Sequence, residues 1–206
     1  MTQIDQFESV FRAAAHDAFE YKAVAFPRVL FVTDADAGQS QTFMRQTLNY
    51  AANLKGAAVE LVHGEEFRTT TDLLEKVADH NPDLICTYRN LHSRGWEYRH
   101  SLGEHLDVLL QRTEAPVLVM PHPEAGYANA DALREIKVVM AITDQLANNH
   151  TLVNHAVSFV APYGELYLAH IEDKAVFERY INAISKIPSI DTDGARERIA
   201  HQLLQD

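Results

Sequence analysis

The chain has 206 residues, 47% of them hydrophobic, and a formal net charge of −11. That length allows one domain or two small ones, and the apolar share is ordinary for a chain that buries a real core. The charge excludes nucleic acid and anionic membrane as partners, since either needs a basic face, but it leaves room for a small anionic ligand held by local Arg side chains and backbone N–H groups. The single cysteine, Cys86, has no partner for an internal disulfide and falls in a strand core, where it acts as a small hydrophobe. No apolar run reaches membrane-spanning length, and the first residues lack the basic start and apolar core of a secretory leader, so the expected setting is the cytoplasm.

Taken in order, residues 1–27 form an N-terminal segment in which Ile4, Phe7, Val10, Phe11, Ala14, Ala18 and Tyr21 recur at helical spacing, ending before Pro27. Arg28–Asp34 is a short apolar run with a polar end, as in a parallel strand buried on both faces. Asp36, Ala37 and Gly38 turn the chain, and Ser40 is the expected N-cap of a helix with Phe43, Met44, Leu48, Ala51 and Leu54 on one stripe, stopped by Gly56. Ala58–His63 is a second strand, Thr71 caps a short helix ended by Asn81-Pro82, and a third strand, a loop, a helix from about Leu102 and the strand Pro116–Met120 follow. This alternation predicts an α/β fold with a parallel sheet and right-handed crossovers.

Residues 28–122 thus form one shortened domain. Pro121–Gly126 opens a linker, placed at 123–134, and a partial second domain occupies 135–206. Lys137–Asp144 repeats the strand that ends in Thr33-Asp34, and Glu165–His170 repeats Glu60–His63, each pair in the same order, which marks an internal repeat. Helices are expected at about Lys174–Ile184 and Thr192–Leu204. The second copy has nothing matching Asp83–Met120, and two parallel strands with an uncovered edge are not stable alone. The expectation is a piece of a longer tandem protein, the alternative being tight docking of this half on the first.

The stretch from Pro82 to Pro121 organises the chain, because a loop that leaves a parallel strand and feeds a helix N-terminus is where α/β proteins bind phosphate. Within it, Leu102-Gly-Glu-His-Leu-Asp-Val-Leu-Leu-Gln-Arg-Thr-Glu-Ala-Pro-Val-Leu-Val-Met120 resembles the last helix and strand of the universal stress protein family. The strand ending at Asp34 resembles that family's first strand, and the repeat resembles its tandem members, so the resemblance covers nearly the whole chain from Arg28. It implies a Rossmann-like sheet of strand order 3-2-1-4-5 with helices on both faces, and association of two such units, here as a homodimer. It also implies a regulatory, stress-response role without catalysis. Binders of ATP in the family carry Gly-x-x-Gly, a nine-residue gap and Gly-Ser or Gly-Thr. Here Asn90 and Ser93, or on another alignment Tyr88 and Leu91, stand where the paired glycines belong, Glu104 stands at the Ser/Thr position, and the first copy lacks the family's second helix and third strand. The expectation is therefore a degenerate nucleotide site at Thr33, Asp34, Thr87, Tyr88, Arg89, Asn90, Gly103 and Glu104, with no resident cofactor and with ATP or AMP as the ligands it would admit.

The alternative is an ATP- or AMP-binding sensor, or a nucleotide-dependent enzyme, in which Arg89, Arg94 and Arg99 replace the glycine cradle and converge on Asp34. A third reading is a partner-binding module, with Trp96 and Tyr98 as exposed contacts. Asp34 either receives a ribose hydroxyl or caps the turn over Ala35–Gly38. His63 and His170 end strands without Cys or carboxylate at ligand spacing, which argues against a metal, and His92, His100 and His105 are expected to be solvated or capping. Cys86 has no evident base and no nucleophile elbow is present, so no catalytic residue is assigned.

Overall fold

The computed structural model describes residues 19–125, 136–143, 150–171 and 174–186, with Gly194 and Glu197. The expected helices before residue 19 and after residue 186, most of the expected linker, and Asp144 lie outside the described residues. The chain divides into two compact units, one built on residues 24–137 with 158–164, the other on residues 1–23, 138–157 and 165–206.

In the first unit four parallel strands lie in the order β2-β1-β3-β4, with β1 at Arg28–Val32, β2 at Ala58–Val62, β3 at Leu84–Tyr88 and β4 at Val117–Met120. This is the order expected from the resemblance with its outermost strand missing. The middle strands are the most buried: β1 from Val29 on and all of β3 are out of water, as strands covered on both faces must be. Helix α1 (Ala37–Tyr50) joins β1 to β2, α2 (Thr70–His80) joins β2 to β3, and α3 (Glu104–Arg112) joins β3 to β4. From β1 the chain steps outward to β2 and then returns over β1 to β3. Crossovers of one hand therefore put α1 on one face and α2 and α3 together on the other. Consistently, α2 packs against α3. The core between these layers holds Leu30, Phe31, Phe43, Leu54, Phe67, Leu73, Ile85 and Leu109.

Two caps differ from expectation. Asp36, not Ser40, caps α1, its carboxylate accepting from the Gln39 N–H at 2.9 Å. Ser40 is wholly buried and its hydroxyl meets that of Thr33 at 2.5 Å. Thr69, not Thr71, caps α2, and with Asp72 it forms a capping box in which each side chain takes the other's backbone N–H. At its far end α2 stops at Asn81, which adopts a left-handed conformation (φ 44°) ahead of Pro82.

In the second unit β5 (Val138–Thr143) and β6 (Glu165–His170) pair in parallel along their full length, with α4 (His150–Phe159) between them in the chain and α5 (Lys174–Ile184) following. On one face Val138, Met140, Ile142 and Tyr167 are exposed, because an alternating apolar strand presents every second side chain to the same side. No described helix is long and apolar enough to cross a membrane.

Replacing Thr69 by Ala removes one half of the capping box, and urea unfolding is expected to show a loss of about 1 kcal/mol. A second substitution, Asp72→Ala, is expected to add less than its effect alone, since both remove the same reciprocal pair.

Candidate functional site

The direction of the chain reverses between β1 and β3, so their C-terminal ends border the crevice where α/β sheets bind ligands. Asp34 follows β1 and Tyr88 ends β3, and they join across that crevice. The Tyr88 hydroxyl donates to Asp34 Oδ1 at 2.5 Å and accepts the Asp34 backbone N–H at 3.2 Å. The second carboxylate oxygen, Oδ2, accepts the backbone N–H of His92 at 2.7 Å. Burial, with the Asp34 carboxylate beside it, holds the Tyr88 phenol far above its ordinary range, so it stays a neutral donor. The turn after Asp34 is closed from the other side by Gly64, whose N–H donates to the Ala35 carbonyl at 3.0 Å. A Cβ on Gly64 would stand 2.2 Å from the Asp34 carbonyl oxygen, so only glycine fits that approach.

Above this clasp lies a cleft of about 740 Å³. Its α1 side carries Gln39, Thr42, Phe43, Gln46 and Thr47, and its opposite side carries Trp96 and His122, with Asp34, Tyr88 and Met120 also bordering it. The Trp96 and His122 rings are stacked, 5.1 Å apart and inclined by 15°, and His122 meets Tyr88 edge-on at 4.9 Å. His122 is 6% exposed and its Nδ1 accepts the Glu124 N–H at 3.2 Å, which places the proton of the neutral ring on Nε2. Burial lowers its pKa, against the pull of Asp34.

The expected site residues separate. Asp34 and Tyr88 border the cleft, whereas Thr33 and Thr87 are wholly buried beneath it. Arg89 turns away: its guanidinium donates to the carbonyls of Trp96 and Tyr98 at 2.8 Å, Arg99 at 2.9 Å and Ser101 at 3.3 Å, clamping the loop. Arg94 borders the cleft but pairs with Glu97 at 2.9 Å, and Arg99 is exposed. Asn90 is fully buried, with φ 63°. Its N–H donates to the Leu102 carbonyl at 2.7 Å, and its side chain exchanges hydrogen bonds with Ser101 at 2.9 and 2.7 Å. Gly103 (φ 86°) caps α3, and a Cβ there would lie 2.7 Å from the Asn90 Cα. Glu104 is exposed in the first turn of α3.

Trp96, expected as an exposed contact, is half-buried against His122, while Tyr98 does stay exposed. His92 and His105, expected to be solvated or capping, pack with Phe67 in one aromatic cluster, their rings 5.5 Å apart. His105 donates to the Arg68 carbonyl at 3.2 Å; the His92 Nε2 is buried without a hydrogen-bond partner, and burial lowers the His92 pKa. Cys86 is buried and its thiol is pushed up to about 12, consistent with an inert side chain. Among the described residues no group of His, Cys, Asp and Glu could hold a metal ion. His122 was missed because Pro121–Gly126 reads as a linker. The polar side of α1 has a visible signal, Gln39, Thr42 and Gln46 at spacings of three and four. Compared with models of known protein families, with curated proteins and with solved structures, the chain matches none.

Two histidines with lowered pKa values set a pH window. The unfolded chain takes up protons near the ordinary value of 6.5 while the folded rings resist, so stability is expected to fall as pH drops through 6.5 toward their lower folded values. Asp72 and Asp83, held below 3.8 by hydrogen bonds to the Thr69 N–H and to the Arg28 side chain respectively, act only at lower pH. Thermal melts of His122→Phe, which keeps a ring on Trp96, should show a shallower pH slope between about 7 and 5 than the parent.

Proposed function

We propose that the chain is a universal stress protein-like regulatory protein, cytoplasmic and without catalysis, that acts through association and carries a degenerate nucleotide site. The observation that supports this best is Asn90, a non-glycine residue packed against Gly103 at the N-terminus of α3. A phosphate would need free backbone N–H groups there and glycines that let it approach. Asn90 instead lies against Gly103 with its own N–H engaged by Leu102, and the chain around Asn90 is fastened to Ser101. Glu104 adds a carboxylate to the first turn, which complements the helix dipole and repels an approaching triphosphate. The sensor or enzyme alternative has less support, because Arg89 holds loop carbonyls and Arg94 pairs with Glu97.

Association is supported by the exposed apolar face of β5 and β6, where Val138 is 60% and Met140 56% exposed. Such a contiguous face is costly to leave in water.

Calorimetric titration with ATP or AMP is expected to show no binding tighter than about 10 μM, roughly −7 kcal/mol; tighter binding overturns the degenerate-site reading. Light scattering is expected to give twice the chain mass, and Met140→Lys, on the exposed face, is expected to return the mass of one chain. A monomer at all concentrations counts against association.

A further inference from the structure

The cleft beside α1 does not include Gly103 or Glu104 of the α3 terminus, and its lining has a chemistry of its own. At about 740 Å³ it is within the range of small-molecule sites. Thr47 borders it, is wholly buried, and its Oγ1 has no hydrogen-bond partner. With no accessible surface, that hydroxyl is out of a ligand's reach, and the polar groups a ligand meets are the accessible ones beside it. Gln46 lies one residue before Thr47 on the same wall and is exposed, so its amide is accessible to a ligand. Across the cleft the Trp96–His122 stack forms a flat aromatic wall, with His122 Nε2–H as a donor.

Charge decides against an anion. The carboxylate of Asp34 is held by Tyr88 and His92, the guanidinium of Arg94 is held by Glu97, and Glu124 adds a further negative charge at the rim. No unpaired cation among the described lining residues is available to a phosphate or carboxylate.

We propose that this cleft binds an uncharged planar heteroaromatic molecule, lying along Trp96 and hydrogen-bonded at its edge by Gln46 and His122. The proposal rests on the degenerate-site reading proposed above, and matched probes separate the two ideas.

Trp96 is the single tryptophan of the chain, so its fluorescence reports on the cleft wall directly. The full chain is titrated with adenosine and nicotinamide, and in parallel with their anionic counterparts AMP and nicotinate. The expected result is a saturable change with at least one neutral probe below about 1 mM, and binding of its anionic partner weaker by about tenfold or more. Gln46→Met, nearly the same length without the amide, should weaken binding of the neutral probe about threefold to tenfold. Gln46 is exposed on α1, so thermal stability should be unchanged and lost binding is not lost folding. No saturable change with either neutral probe, or unaltered binding by Gln46→Met, overturns the cleft proposal and leaves the degenerate-site reading standing. AMP binding tighter than adenosine overturns both.

Discussion

The clasp between Asp34 and Tyr88 holds the two central strands together where they diverge. A carboxylate at that position needs hydrogen-bond donors once it is half withdrawn from water. Here the Tyr88 hydroxyl and the His92 N–H supply them, and the short Tyr88 bond is charge-assisted. This has consequences on both sides. The His92 backbone is drawn over β1, into a left-handed conformation (φ 56°), which places its ring on Phe67. Gly64 is drawn under the turn, where a side chain would strike the Asp34 carbonyl. The strand end that would offer a free carboxylate to a ligand uses it instead to organise three loops.

The loop after β3 follows the same logic. Asn90 takes the left-handed conformation that a glycine would adopt, at a position where its side chain is fully buried and both its amide nitrogen and its oxygen are hydrogen-bonded to Ser101. Asparagine tolerates that backbone better than most residues because its short polar side chain bonds locally. Arg89 then gathers four carbonyls of the same loop. The guanidinium fork suits that task, and it removes from the cleft the cation most able to attract an anion. What remains open is the aromatic and amide-lined space beside α1.

The second unit obeys a simpler constraint. Its two described strands pair along six residues, and a two-stranded pair is marginal in water unless a hydrophobic face is packed. The exposed side carries valine, methionine, isoleucine and tyrosine, residues whose alternation suits a covered face, which is why association figures in the proposed role.

Local pattern determined much of this protein. The apolar runs within Arg28–Asp34 and Asp83–Thr87 specified buried strands, the strand–helix alternation specified a parallel sheet, and Asn81-Pro82 marked a true helix end, because period, propensity and backbone restriction act over a few residues. The caps were misplaced by a few positions since Asp36, Ser40, Thr69 and Thr71 are all chemically able to cap, and only the backbone course selects one. What the tertiary structure alone decided was which polar groups meet. That Tyr88 closes on Asp34 across 54 positions, that Arg89 turns to carbonyls rather than into the crevice, and that His122 leaves an apparent linker to stack on Trp96 are all long-range pairings. They depend on the order of strands in the sheet, which places those residues side by side, and no local spacing in the chain encodes it.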